Sequence, residues 1–576
     1  MLATSRIVLL GSVALLLASG CADDAPGASG RARATPTTAG PLVTAPSVAD
    51  VAPTLAPSAA APATAATDGS GAGGGLELRS ATASVEAAYD PAYDSTFVMP
   101  GVYVGAIGGP FEVTARRSDY DSPITATLRA GSRSPAVLPS GTVSTWDGLD
   151  DFLGVQVTRA DGTVVDQETA GFCPAALSPQ RLSGDSPLAD GYVAECGGNP
   201  FTLGATWGLT EGWAAPVLEG GLTLPIGPGS YTLTVTVAAP YAALVGSPAP
   251  VTVGLTVTAG DGTGDTIDTV PFDTVPFDTV DPTLDPGAGK GGVAFTDLGP
   301  GDGSGFGGED LITDAGGAGP AHRGRPTPDA HPAVASLPDL VPLPAYDISV
   351  GYDETSGLDV LGFAADTWNR GPAPLVVDGF LDPADSSVMN ATQQFFADGL
   401  ATGSAPIGTL EYHRGGGHDH WHFLDFERYE LVSDDGTVVQ RSAKESWCLA
   451  PTDAIDLTRP GAEPRPDNTN LSTACGDRSS LWVREALPAG WGDTYTPFVS
   501  GQWIDVTDLP NGAYVIRITA NPEGNLYEGD TTNDTSERRI VLDGVPGART
   551  VEVEPYGLVD SEGQAYYPGF GSYLGD

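Results

Sequence analysis

Cationic side chains are scarce in this 576-residue chain: 26 Lys and Arg stand against 73 Asp and Glu, a formal charge of −47. A surface of that sign repels a nucleic-acid backbone and excludes DNA and RNA as partners. Cysteine is also sparse, at five, and no pair has CxxC spacing, so a thiolate metal site is not expected. After the first twenty residues no run of 18 apolar residues occurs, which leaves nothing to span a membrane by helix. Helical periodicity is hard to find anywhere. Glycine (77) and proline (50) are plentiful and gathered into particular stretches, a pattern of β-rich domains separated by linkers.

The first residues read as an export signal. Arg6 supplies a positive charge, Ile7 to Leu17 an apolar run too short for a comfortable span, and Ala18-Ser-Gly20 small residues before a cleavage point. Cys21 follows, as in the bacterial lipobox, where the cysteine is acylated; unmodified, it would leave the protein simply secreted. The predicted organisation is a leader over 1–21, a disordered Ala/Pro/Thr/Gly tether over 22–75, and a β-sandwich of immunoglobulin-like architecture over 76–259. An acidic, Gly-rich disordered linker over 260–336 leads to a second β-rich domain over 337–543, with a loose tail over 544–576. The fold class is thus mainly β. Tyr231-Thr-Leu-Thr-Val-Thr-Val237 and Val251-Thr-Val-Gly-Leu-Thr-Val257 carry the period of two that half-buried strands require. No chemistry attaches to the first domain, which reads as a spacer or adhesive module. Oxidising export makes Cys173–Cys196 and Cys448–Cys475 the simplest disulfide assignment, one to each domain.

Histidine is rare too, which makes its placement informative: four of six fall between His413 and His422. His418, His420 and His422 alternate, so on a strand they share a face, and neutral imidazoles bind copper, zinc, iron or nickel. The outer pair would stand roughly 13 Å apart on a flat strand, so a twist or a bulge near Trp421 is expected. His322 and His331, beside Arg and Pro in the linker, read as solvated.

Around this cluster lie further ordered motifs: Pro338-Asp-Leu340, Asn369-Arg-Gly371, Lys444-Glu-Ser-Trp-Cys448-Leu449, Gly490-Trp-Gly-Asp-Thr-Tyr495, Gln502-Trp-Ile-Asp505 and Glu528-Gly-Asp530-Thr-Thr-Asn533-Asp534. With them the chain from Leu337 to Asp543 resembles the lysyl oxidase family, the copper- and quinone-dependent protein-lysine 6-oxidases. The resemblance implies copper held by His418, His420 and His422, and a lysyl tyrosylquinone cofactor built from Lys444 and Tyr495, the catalytic pair. It also implies a calcium site at Asp339, Leu340 (by its carbonyl), Glu528, Asp530, Asn533 and Asp534, an oxygen-ligand set suited to a hard cation. The sequence departs from the animal enzymes in keeping only two cysteines in this domain and in separating His413 from His418 by Arg-Gly-Gly-Gly.

Oxidation of an amine to an aldehyde needs an electron sink that no ordinary side chain provides, so a carbonyl cofactor must be bound or built. The expected activity is therefore a copper-dependent amine oxidase acting on primary amines such as peptidyl lysine, with dioxygen as oxidant and ammonia and hydrogen peroxide as products. Asp425 and Asp505 are candidates for the base or for a partner of a ligand histidine. Taken singly, Lys444 reads as a surface lysine and Tyr495 as a core aromatic. The rival readings are a non-enzymatic copper- or zinc-binding surface protein and a calcium-stabilised adhesin.

Overall fold

The computed structural model describes residues 75–260 and 332–562, apart from breaks at 176–178, 195, 198, 219, 354–355, 383–384, 398, 414–419, 443, 445, 467–470, 498–500 and 560. The expected leader, Cys21, the tether up to residue 74, residues 261–331 of the linker and His418 lie outside the described residues. No described helix is long and apolar enough to cross a membrane.

β structure dominates both halves. In the N-terminal region the alternating segments form the strands Gly229–Val237 and Val251–Ala259. They pair antiparallel with Leu233 opposite Val253, burying Tyr231, Leu233, Val235, Val253, Leu255 and Val257 while threonines occupy the other face. The strands fall into three sheets, one of seven and two of four, where a simple sandwich has two, and Val251–Ala259 runs parallel to Ser84–Asp90. Phe111, Phe152, Phe172 and Tyr241 stack through the core. Cys173 and Cys196 form the expected disulfide.

In the C-terminal region Leu358–Asn369 is buried along almost its whole length, as a strand covered on both faces must be. It pairs with Leu340–Pro342, Tyr346–Asp353, Trp491–Tyr495 and Trp503–Asp505. A second sheet runs in the order Trp421–Phe423, Leu400–Tyr412, Asp385–Ala397, Leu375–Asp382, Trp482–Leu487. A third holds Val438–Arg441, Glu427–Ser433, Gly512–Ala520, Thr535–Val545 and Ala548–Val553. The last of these corrects the tail expected after 543: Gly544 and Gly547, both at positive φ, turn the chain back so that Val541 pairs with Glu552. Trp421, Phe423, Phe426, Tyr429 and Trp447 are fully buried where these sheets meet, each contributing about 1.5–3 kcal/mol of apolar burial. That junction carries the histidines.

Candidate active site and metal centre

Of the histidine segment, the described strand is Trp421–Phe423. Trp421–Phe423 pairs with Leu400–Tyr412, setting Glu411 opposite His422 and Tyr412 opposite Trp421. The His413 N–H donates to the His420 carbonyl at 3.0 Å, drawing the two arms together. The rings of His413 and His422 stack at 4.2 Å between centroids, and those of His420 and His422 lie 4.8 Å apart. The Nε2 atoms of His420 and His422 face each other at 2.9 Å. Two imidazoles on one metal, with bonds of roughly 2.0–2.1 Å, place their nitrogens about 2.8–3.4 Å apart, so this donor pair fits a single ion. Among the described residues, which omit His418, no group of three or more His, Cys, Asp or Glu is disposed to hold a metal. Motif counting gave His413 no role; pairing across the hairpin brings it in.

Residues 444–448 join this cluster to the phenol. The Ser446 hydroxyl lies 3.3 Å from His422 Nδ1 and 3.1 Å from His413 Nε2, on the far side of the His422 ring from the facing Nε2 pair. Lys444 Nζ stands 4.5 Å from the centroid of the Tyr495 ring, a cation–π arrangement. The Cys448 N–H donates to the Tyr495 phenol oxygen at 3.0 Å, and Cys448 is itself tied to Cys475 by the expected disulfide. Between them the Trp447 ring packs 4.0 Å from that of Tyr495. Both Lys444 and Tyr495 are buried. For a lysine that is unusual and needs nearby counter-charge.

Three buried carboxyl groups that the sequence did not single out lie in this core, and one of them, Glu427, is electrostatically coupled to Lys444. Glu427 is fully buried; its carboxylate accepts hydrogen bonds from the Thr367 hydroxyl and, at 2.7 Å, from Tyr429 OH. Burial raises its pKa to about 7, against the lowering pull of those hydroxyls and of the Lys444 charge. Glu485 and Asp493 are likewise buried and pushed well up by desolvation. Burial, then the nearby Asp493 charge, lifts the Tyr495 phenol well above its ordinary value. The second glycine of the Gly490-Trp-Gly motif has a steric reason: a Cβ on Gly492 would lie 2.2 Å from Asp366 Oδ1. Of the two aspartates read as candidate bases, Asp505 caps its own turn by accepting from the N–H and hydroxyl of Thr507. Asp425 sits at φ 59° in the turn after His422.

The second predicted cluster also converges. The Leu340 N–H donates to Glu528 Oε2 at 3.0 Å, Asn533 Nδ2 donates to Asp339 Oδ1 at 2.8 Å, and Arg370 pairs with Asp339 at 2.9 Å and Asp530 at 3.7 Å. Asn533 Oδ1 and Asp534 Oδ1 are buried and accept no hydrogen bond. Burial and the Asp534 charge raise Glu528 to about 8; burial and Asp339 raise Asp534 to about 6. Unpartnered, crowded oxygens of this kind fit a hard cation.

Comparison with known proteins agrees with the region of the site. The family model described as lysyl oxidase matches residues 387–550. Lysyl oxidase homolog 2B of Danio rerio is 30% identical over 128 residues, covering 22% of this chain and 15% of its own length. Lysyl oxidase homolog 2A of Danio rerio is 28% identical over 149 residues, 24% of this chain and 18% of its own. Lysyl oxidase homolog 3 of Homo sapiens is 27% identical over 128 residues, 22% and 15% respectively. The shared stretch is thus less than a fifth of each relative. The C-terminal region of this chain carries a lysyl oxidase family domain, and the likeness is confined to that region.

Proposed function

We propose that the chain is an exported copper-dependent amine oxidase that converts primary amines, peptidyl lysine foremost, to aldehydes. The balanced reaction consumes one amine, one dioxygen and one water and gives one aldehyde, one ammonia and one hydrogen peroxide. The observation that carries this reading is the 4.5 Å between Lys444 Nζ and the Tyr495 ring, with the histidine cluster attached to the same five-residue segment through Ser446.

His418, His420 and His422 would hold the copper, with His413 and Ser446 fixing the orientation of the His422 ring. A copper ion held there would supply, with dioxygen, the oxidising power to convert the Tyr495 phenol, and a lysyl tyrosylquinone built from Tyr495 and Lys444 would supply the electron sink that amine oxidation needs. The Cys448 N–H holds the phenol oxygen, while Lys444 keeps its amine against the ring to which it must bond. Before that bond forms the ammonium must lose a proton. Glu427, buried and electrostatically coupled to Lys444, is the acceptor we assign. Trp447 packed against the ring helps to exclude water. A net charge of −47 favours approach of cationic, lysine-bearing substrates. Asp339, the Leu340 carbonyl, Glu528, Asp530, Asn533 and Asp534 would bind calcium and fasten the start of the domain to the loop before Thr535–Val545. Acylation of Cys21 would tether the enzyme to a membrane surface.

Peptide mass mapping after copper-supplemented expression tests the reading. A species joining the Lys444 and Tyr495 peptides, staining for quinone and absent from Tyr495→Phe, is expected. Unmodified separate peptides from a copper-loaded protein would overturn it in favour of non-enzymatic metal binding.

A further inference from the structure

The N-terminal β region presses a segment of its own into the domain that carries Tyr495. Asn199, from the Gly-Gly-Asn-Pro stretch that follows Cys196, is fully buried. Its Nδ2 donates to Tyr346 OH at 2.7 Å and to Asp366 Oδ2 at 3.0 Å, and lies 3.4 Å from Thr494 Oγ1. The Thr494 hydroxyl in turn donates to Asp366 Oδ2 at 2.9 Å and lies 3.0 Å from Tyr346 OH. These four side chains form one closed network, and Thr494 directly precedes Tyr495.

Around it the contact continues in apolar and backbone form. Phe201 is fully buried among Leu343, Tyr346, Trp368 and Ile455 of the C-terminal region. The Leu203 and Gly204 N–H groups donate to the Ile455 carbonyl at 2.7 and 3.1 Å, and the Leu457 N–H donates back to the Gly204 carbonyl at 2.8 Å. Gly204 permits the approach, since a Cβ there would come within 2.4 Å of Asp456 Oδ1. A spacer or free adhesive module has no reason to bury an amide side chain in another domain. An unmatched buried amide is costly, and here each of its polar atoms is matched: its Oδ1 accepts the Phe201 N–H at 3.0 Å.

We propose that the N-terminal β region is a permanently docked part of the oxidase unit and that Asn199 is a positioning residue for the strand Trp491–Tyr495. Asn199 touches no reacting atom; it locks Thr494 and Asp366, and through them the register of Tyr495 against Leu358–Asn369. The consequence for cofactor formation rests on the oxidase reading above; the docking does not.

The test uses the full chain with a protease site placed within residues 261–331. After cutting, the two pieces are expected to co-elute in about 0.5 M NaCl, where surface charge is screened; separate elution overturns the docking. In uncut Asn199→Ala, amide hydrogen exchange is expected to quicken about tenfold or more over 491–495 while Gly512–Ala520 keeps its wild-type rate. Unchanged exchange at 491–495, or equal quickening in both strands, overturns the positioning role. Where Asn199→Ala does not fold, Asn199→Ser, which shortens the side chain out of reach of Asp366, is measured over the same two strands with the same two outcomes. Crosslink yield per bound copper should fall in the variant with copper content unchanged. A wild-type chain that loads copper and never crosslinks sinks the oxidase reading, and co-elution and exchange still decide this one.

Discussion

Replacing Glu427 by Gln should make the C-terminal domain less sensitive to pH, and the size of the change follows from its surroundings. The carboxyl titrates near 4.5 when solvated and at about 7 when folded, because burial disfavours its charge. Folding therefore strengthens proton binding, and the native state carries the extra proton between those values. The sign follows: this group's stabilisation is complete below pH 4.5 and is lost as pH rises through 7. A rise from 4.5 to about 7, at about 1.4 kcal/mol for each pH unit, amounts to about 3.5 kcal/mol in all. The group is fully buried, so solvent screening does not reduce it. Urea denaturation followed by tryptophan fluorescence at pH values from about 5 to 8 gives the measurement. The wild type should lose about 2.5 kcal/mol more than Glu427→Gln over that range, the rest being lost already by pH 5. Asp366, Asp453, Glu485 and Asp493 are raised in both proteins, so subtraction removes most of their effect. Parallel pH profiles for the two proteins would refute the reasoning and would also remove Glu427 as proton acceptor for Lys444.

Three further outcomes are expected. Cys448→Ser with Cys475→Ser should destabilise the domain by about 3–4 kcal/mol, the chain-entropy value for a loop of this length, and reduce crosslink yield because the N–H that holds the phenol is no longer anchored; denaturation midpoints and peptide maps check both. His413→Ala and Ser446→Ala should each weaken copper binding about 10- to 100-fold, measured by competition with a chelator of known affinity, since each contacts the His422 ring on which the ligand set depends. With EGTA present the melting temperature should fall as pH rises from about 5 to 8, because Glu528 and Asp534 are raised to about 8 and 6 and lose stability on ionising; added calcium should raise the melting temperature most at the alkaline end, and a cation effect independent of pH would contradict the site.

What the sequence disclosed and what it withheld divide along a physical line. The histidine cluster was legible because rare residues at close spacing stand out, and the strands because a period of two survives in Tyr231 to Val237 and Val251 to Val257. The hairpin at the end of the chain was legible too: Gly544-Val-Pro-Gly547 is a turn signal between alternating segments, and reading the region as a loose tail passed over it. His413 was not legible as a partner of His422, because counting along one strand cannot register a residue brought back by antiparallel pairing. The buried carboxylates were harder still. Glu427, Glu485 and Asp493 sit at inward positions where the binary pattern calls for apolar residues, so any pattern rule assigns them to solvent. Asn199 lay in a stretch that reads only as a loop.

Those last residues share a feature that connects the fold to the chemistry. A core that buries Glu427, Glu485 and Asp493 near the Tyr495 phenol, with Asp366 beside Thr494, gives up stability at neutral pH, because burial raises each carboxyl and its ionisation then disfavours the fold. Apolar residues of the same volume would pack there at no such loss. On the proposed oxidase reading, carboxylates at these positions would have a use, since protons would have to leave Lys444 and Tyr495 beside the packed Trp447 ring. The docked N-terminal region fits the same logic. A domain weakened by buried acids would gain from a second body whose Asn199 donates to Asp366 Oδ2 and whose Phe201 packs in the apolar cluster beside it, and on the docking proposed above the module read as a spacer would share in holding the strand that ends at Tyr495.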